Sequence, residues 1–314
     1  LHLRPGDETV AKLGGIHRFM SWPGSILTDS GGYQVFPLKT ISRLTEEGVR
    51  FASHLDGRKI MLTTERSIRI QTNLGSDIVM AFDECIPYPA EEAYVKLATE
   101  RSFRWTSRSK AEFDRIGLPD RLFFGIVQGG MVESARRMSA AAIVDLDPQG
   151  LAIGGLSVGE SKELMAEVLD RTVPLLPQGK PRYLMGVGAP VDVVRAVCQG
   201  VDMFDCVLPT RVARHAHAFT WDGKVNLLNA RHREDDRPLD PSCRCLACRS
   251  YSRAYLHHLF KSRELLGPRL ATLHNLRYYA ELMQNIRAAI PGGALPELVK
   301  RVERAYGPGS EAGG

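Results

Sequence analysis

Chemically capable side chains recur in this sequence at one kind of place, the end of a short apolar run. Asp29 follows "SILT", Asp83 follows "DIVMAF", Gln128 follows "RLFFGIV", Gly154 and Gly155 follow "GLAI", Met185 and Gly186 follow "PRYL", and Asp205 follows "VDMF". Three carboxylates and an amide are too acidic a set for a phosphate pocket. They suit a ligand rich in N–H donors, or chemistry at a sugar carbon in which one carboxylate attacks and another moves a proton. The glycines after Asp29 let the backbone approach a ligand closely, and Tyr33 offers a ring face to a planar partner.

Asp205 and Cys206 place two nucleophiles side by side. Strand neighbours point to opposite faces, so only one of them enters a site unless the strand ends between them. Asp is the costlier residue to bury, and Cys is often plain core, which makes Asp205 the candidate. The competing role for Asp205 is to accept hydrogen bonds from loop amides. Arg211 and Arg214 follow closely and suit phosphate or base edges, or a structural salt bridge.

"CRCLAC" brings Cys243, Cys245 and Cys248 into six residues, which is metal spacing rather than a disulfide framework and suits a reducing cytosol. Zinc wants four ligands. His274, expected at the start of the next helix, can supply the fourth, with His257 and His258 as rivals. A complete set of protein ligands makes the site structural. His215-x-His217 has the spacing of metal-dependent barrel hydrolases, but no other strand end supplies a His or Lys to complete such a centre.

The elements that carry these residues alternate. Helical patterns near 91–115, 131–145, 161–173 and 190–199 follow the apolar runs, which argues for a parallel sheet. If that sheet is a (β/α) barrel, every strand end lies on the face where barrel active sites are built. A doubly wound sheet is the alternative, though no Gly-x-Gly-x-x-Gly follows a first strand. Two hairpins interrupt, with two-residue turns expected at Asp56-Gly57 and Asp222-Gly223. The expected organisation is a catalytic barrel over 1–211, a zinc-binding insertion over 212–273, closing helices over 274–306 and a flexible tail over 307–314. The chain opens on "LHLRPGDE" without Met, so an N-terminal segment is expected to be missing.

The 314 residues are 44% hydrophobic, enough for a large core. Between Arg231 and Arg277 ten basic residues face five acidic ones, whereas the remainder balances. A basic segment on a neutral body points to an anionic partner such as nucleic acid. No run approaches the length of a membrane helix, and no signal peptide is visible.

Taken in order, "DSGGYQVF", "MAFDECIPYPA", "GIVQGG", "GGLSVGE", "YLMGVG", "VDMFDCVLPTR" and "CRCLAC" with His274 resemble the bacterial tRNA-guanine transglycosylases of the queuine tRNA-ribosyltransferase family. The resemblance runs from Leu1 to at least His274. It implies a zinc-containing TIM-type barrel in the cytoplasm that exchanges the wobble guanine of G-U-N tRNAs for a 7-deazaguanine, in queuosine biosynthesis, with no ATP or redox cofactor. By the same resemblance Asp205 is the nucleophile and Asp29 the general acid/base. Asp83 accepts from the guanine N1–H and amino group, Gln128 and the Gly155 amide meet the ring oxygen beside Gly154, and Tyr33 and Met185 sandwich the base. Cys85 and Val158 resemble the form that takes 7-aminomethyl-7-deazaguanine, whose ammonium meets the Leu156 carbonyl near Glu160. Arg211, Arg214 and the zinc insertion grip the anticodon loop, and "YSRAYLHHLF" helps form a homodimer. The resemblance also implies one structural Zn2+ on Cys243, Cys245, Cys248 and His274. Two departures stand out: six strands are counted against the eight of a full barrel, and Ala216 stands where many relatives carry Gly. A noncatalytic RNA-binding homologue is the competing reading, against which the intact acids weigh.

Overall fold

The computed structural model describes residues 1–35 and 42–307. Phe36 of the first motif and the tail from 308 on, where a flexible end is expected, lie outside the described residues.

Six strands form one sheet in the order Leu27–Thr28, Ile78–Met80, Leu122–Val127, Gly150–Ile153, Arg182–Leu184 and Met203–Phe204. That order is the chain order, and the first five pair in parallel, with Leu27 beside Ile78, Val79 beside Phe123, Gly125 beside Leu151 and Ala152 beside Tyr183. A doubly wound sheet needs a point where the order reverses, and this one has none. The fold is therefore of the TIM (β/α)-barrel type. The central strands are buried along nearly their whole length, as parallel strands covered by helices must be. Helices Glu92–Ile116, Glu133–Asp145, Lys162–Thr172 and Pro190–Cys198 fall within two residues of the spans expected.

The chain divides into two compact units, Leu1–Met185 with Gly200–Met203, and Gly186–Gln199 with Phe204 onward. In the first, Val79, Met80, Phe123, Phe124, Ile126 and Ala152 form the centre of the core. In the second, one cluster packs Ala218, Leu227, Leu239, Leu256 and Leu270 around Cys243 and Cys245. Another gathers Phe219, Tyr278, Tyr279 and Tyr306, whose rings lie 5.4–6.0 Å apart where they meet. Among the described residues, no helix is long and apolar enough to cross a membrane.

Three local expectations need correction. The hairpin near Asp56-Gly57 has no two-residue turn: Ser53 donates its N–H to the Arg58 carbonyl at 2.8 Å, leaving a four-residue loop. It also belongs to a three-stranded antiparallel sheet, Ser42–Leu44, Gly48–Ala52 and Lys59–Thr63. The second turn sits one residue earlier than expected, because Thr220 pairs with Gly223 and the loop is Trp221-Asp222. Finally, the helix carrying His274 runs over Leu266–Ala289, so His274 lies in its interior. Pro268 stands in the first turn, where its missing N–H costs nothing, and the helix begins ahead of it.

Candidate active site and metal centre

In the first unit, helix hydroxyls hold the strand-end loops in place. Ser109 and Ser102 on Glu92–Ile116 accept from the N–H groups of Phe82 and Glu84 at 3.2 and 3.0 Å, and Ser139 accepts from the Gln128 N–H at 3.0 Å. Gln71 bridges the first two strands, donating to the Met80 carbonyl and accepting from the Met80 N–H and the Thr28 hydroxyl. Glu84 takes hydrogen bonds from Tyr94 at 2.6 Å and Arg101 at 2.5 Å, which accounts for a carboxylate with no exposure of its own.

Asp83, 8% exposed, accepts from the Gln128 side-chain amide at 2.7 Å. Burial, the largest effect, pushes its carboxyl up to about 6; Gln128 pulls the other way, and Asp29 and Glu84 push further up. Gly32 lies against this segment so closely that a Cβ there would stand 2.7 Å from the Asp83 carbonyl oxygen. Asp29 is exposed, as is Tyr33 at 58% on the short helix Gly32–Val35. Cys85 is buried, and desolvation raises its thiol to about 12, so it stays protonated.

Gly154 and Gly155 are glycines because Gln128 fills their space. A Cβ on either would come within 2.6 Å of the Gln128 amide, and Gly155 also has φ +67. Leu156 is buried behind them. Glu160 accepts from the N–H groups of Ser157 at 2.5 Å and Val158 at 2.9 Å, bracing the turn after Leu156. Met185 packs half-buried against the core of this unit. One residue has no part in the sequence reading: Arg136 is 2% exposed, and its guanidinium donates to the carbonyls of Gly130, Gly154 and Val127 at 2.8, 2.9 and 3.3 Å. It shares the buried face of its helix with Ala135, Ser139, Ala140 and Ile143, a placement that the sequence pattern alone does not mark.

In the second unit, Asp205 lies just beyond the last strand, which closes at Phe204. The alternation argument for Asp205 over Cys206 therefore loses its premise, because neither residue is in the strand. Their separation arises otherwise. Asp205 is exposed and accepts from the Gly186 N–H at 2.6 Å, whereas Cys206 packs on Gly188, where a Cβ would stand 2.0 Å from its sulfur. Burial raises the Cys206 thiol above its ordinary range, which lowers its thiolate fraction. A cavity of about 280 Å³ opens beside Asp205, lined also by Phe204, Pro209, Tyr279 and Met283. Arg211 and Arg214 are exposed three residues apart on the helix Leu208–Arg214. Ala216 has φ +61, the left-handed region that favours glycine.

Cys243, Cys245, Cys248 and His274 each offer a ligand atom, all within 4.8 Å of one another. The His274 Nδ1 faces the sulfurs of Cys248 and Cys245 at 3.2 and 3.6 Å, while Nε2 meets the Phe219 carbonyl at 2.7 Å. That second contact fixes the tautomer that leaves Nδ1 free to ligate. Hydrogen bonds from Cys248 first, and from His274, hold the Cys245 thiol far below the ordinary thiol range. Three sulfurs and an imidazole at this separation fit one tetrahedral ion. His257 instead meets the Leu227 carbonyl at 2.8 Å, and His258 lies by Tyr255. Neither they nor His215 and His217 join a metal-ligand cluster among the described residues.

A parallel sheet in chain order with acids and an amide at its strand ends defines a (β/α)-barrel protein, and the Cys3His cluster adds a donor set able to hold one metal ion. The family model described as queuine tRNA-ribosyltransferase matches residues 1–308. A queuine tRNA-ribosyltransferase of Clostridium botulinum (strain Hall) is 53% identical over 313 residues, covering 98% of this chain and 83% of that relative. One of Clostridium tetani is 53% identical over 304 residues, covering 95% and 81%. This chain belongs to the queuine tRNA-ribosyltransferase family.

Proposed function

We propose that this protein is a tRNA-guanine transglycosylase that replaces the wobble guanine of G-U-N tRNAs with 7-aminomethyl-7-deazaguanine in queuosine biosynthesis. Alongside family membership, the observation that carries the reading is the buried Asp83–Gln128 pair against Gly154 and Gly155. It joins a carboxylate acceptor to an amide donor beside two closely approached glycines, the polar complement of a guanine edge. Asp205 attacks the ribose anomeric carbon as the bond to the guanine ring nitrogen breaks, giving an ester to the RNA. Asp29 hands the departing base a proton, then takes one from the incoming base, whose ring nitrogen displaces Asp205. Two displacements retain configuration.

Tyr33 and Met185 clamp the base, while Cys85, Val158, Leu156 and Glu160 surround its 7-substituent. Arg211, Arg214 and the basic segment over 212–273 hold the anticodon loop. The ion on the Cys3His cluster is zinc; it is structural, because four protein ligands leave no position for water. A homodimer forms through 251–260, where Tyr251 and Tyr255 stack at 5.4 Å; sedimentation should show a two-chain species, and a monomer at micromolar concentration would refute it.

Labelled guanine should enter a tRNA with a G-U-N anticodon and not the same tRNA with its wobble guanine replaced by adenine. Absence of exchange with the first, or equal exchange with both, overturns the reading. The upward shift of Asp83 adds a pH dependence. The ionised carboxylate accepts from the base, so affinity for guanine should be level above about 6 and fall by up to tenfold per unit of pH below it. Asp83→Asn should bind weakly without that slope. Equilibrium dialysis of labelled guanine between about pH 5 and 8 reads both, and a level wild-type profile removes Asp83 from base recognition.

A further inference from the structure

The guanidinium of Arg136 is buried, and among the described residues its hydrogen bonds go to backbone carbonyls. Its Nε donates to the Gly130 carbonyl at 2.8 Å, Nη1 to the Val127 carbonyl at 3.3 Å, and Nη2 to the carbonyls of Gly154 at 2.9 Å and Gly155 at 3.5 Å. Burial lowers its pKa to about 10, outweighing the upward pull of the Glu160 charge. A cation placed so deeply at this cost, among carbonyls alone, is an uncommon use of arginine. Both loops it joins belong to the proposed base site: Val127 and Gly130 flank Gln128, and Gly154 and Gly155 lie against the Gln128 side chain.

In a trans peptide the C=O and the following N–H point in opposite directions. The Gly154 carbonyl shares a peptide plane with the Gly155 N–H, and the Gly155 carbonyl shares one with the Leu156 N–H. By drawing both carbonyls toward itself, Arg136 turns both N–H groups the other way. Its charge also polarises those peptides, making the N–H groups stronger donors. The two glycines leave the backbone soft at this point, so something has to fix the peptide planes. Gly129 makes room for the arrangement: a Cβ there would fall 2.6 Å from the Arg136 backbone nitrogen.

We infer that Arg136 is a positioning residue for recognition of the base carbonyl, acting through the Gly155 and Leu156 amides without touching the base. The inference rests on the transglycosylase reading for the identity of the ligand. The test compares the unaltered protein with Arg136→Lys, which keeps charge without the planar fork, and Arg136→Met, which keeps bulk without charge. Dissociation constants for labelled guanine come from equilibrium dialysis, and KM values for guanine and tRNA from exchange. Both variants should weaken guanine about 10- to 100-fold in Kd and KM while the KM for tRNA stays within about 2-fold, the scale of weakening charge-assisted hydrogen bonding to one ligand group. Competition by 2,6-diaminopurine, which has an amino group in place of the guanine carbonyl and no N1–H, should change by less than about 3-fold, because the carbonyl that Arg136 serves is absent from it.

Unchanged guanine affinity in Arg136→Lys overturns the inference. So does weakening of guanine, diaminopurine and tRNA in step, which is what a purely structural role produces. If Arg136→Met fails to fold, Arg136→Lys decides alone. Wild-type protein that binds guanine but exchanges none sinks the transglycosylase reading while the binding comparison still judges Arg136; wild-type protein that binds no guanine sinks both.

Discussion

Asp205→Asn is expected to abolish base exchange and the covalent tRNA adduct together, a fall on the order of 10⁴-fold or more, the scale seen when a nucleophile is removed. An amide oxygen is a weak nucleophile, and it carries no charge to stabilise an oxocarbenium-like sugar centre. The local geometry favours this assignment over Cys206. The Asp205 carboxylate is exposed and steadied by the Gly186 N–H, whereas the Cys206 sulfur is pressed onto Gly188 and kept protonated by its surroundings. Cys206→Ala should therefore keep the adduct and exchange within a few-fold, and should cost about 1–2 kcal/mol of stability for a small half-buried side chain. A denaturing gel of each variant with labelled tRNA makes the comparison. An adduct from Asp205→Asn, or its loss from folded Cys206→Ala alone, assigns the chemistry to the wrong residue.

Asp205 also shows what sequence reasoning can and cannot reach. That it closes an apolar run was legible, because a strand ending in a carboxylate breaks the pattern abruptly. That the strand stops at Phe204 was not, since "VDMFDCV" carries no Gly or Pro at that point to mark an end. The sheet order was legible from strand and helix alternation. The turn residues were not, because Asp-Gly suits a two-residue turn at either of two registers, and cross-strand pairing at Thr220 and Gly223 decides between them. His274 was legible as a ligand candidate while its place in the helix was misjudged; Pro268 reads as a stop unless it is seen to occupy a first turn. Arg136 stayed hidden because an arginine between helical residues reads as solvated. Only the burial of the face it shares with Ala135 and Ile143 reveals it.

Freshly purified protein should contain about one zinc per chain, and removing it should unfold the segment around the cluster before any effect on catalysis can be read separately. The cluster's four ligands come from a loop, the short helix Leu246–Ser250 and the interior of a long helix, and without the ion these rest on the apolar packing around Leu239, Leu256 and Leu270 and on the weak contacts of the thiols with His274. Asp240 braces the loop by accepting from the N–H and hydroxyl of Ser242 at 2.8 and 2.6 Å, but those bonds are local and do not reach His274. His274→Ala removes a ligand and, with it, the bond to the Phe219 carbonyl, leaving Asn275 to tie the helix to the strand His217–Thr220. A loss of roughly 3–5 kcal/mol and a fall in Tm on the order of 10 °C are expected for this variant, with proteolysis appearing within 212–273. Chelation of the wild type should produce the same cleavage pattern, and restored zinc should reverse it. Because a closed site holds no water to activate, cobalt substitution should preserve exchange to within a few-fold. Metal content near zero with the segment still resistant to protease would mean that the thiols and imidazole pack without an ion.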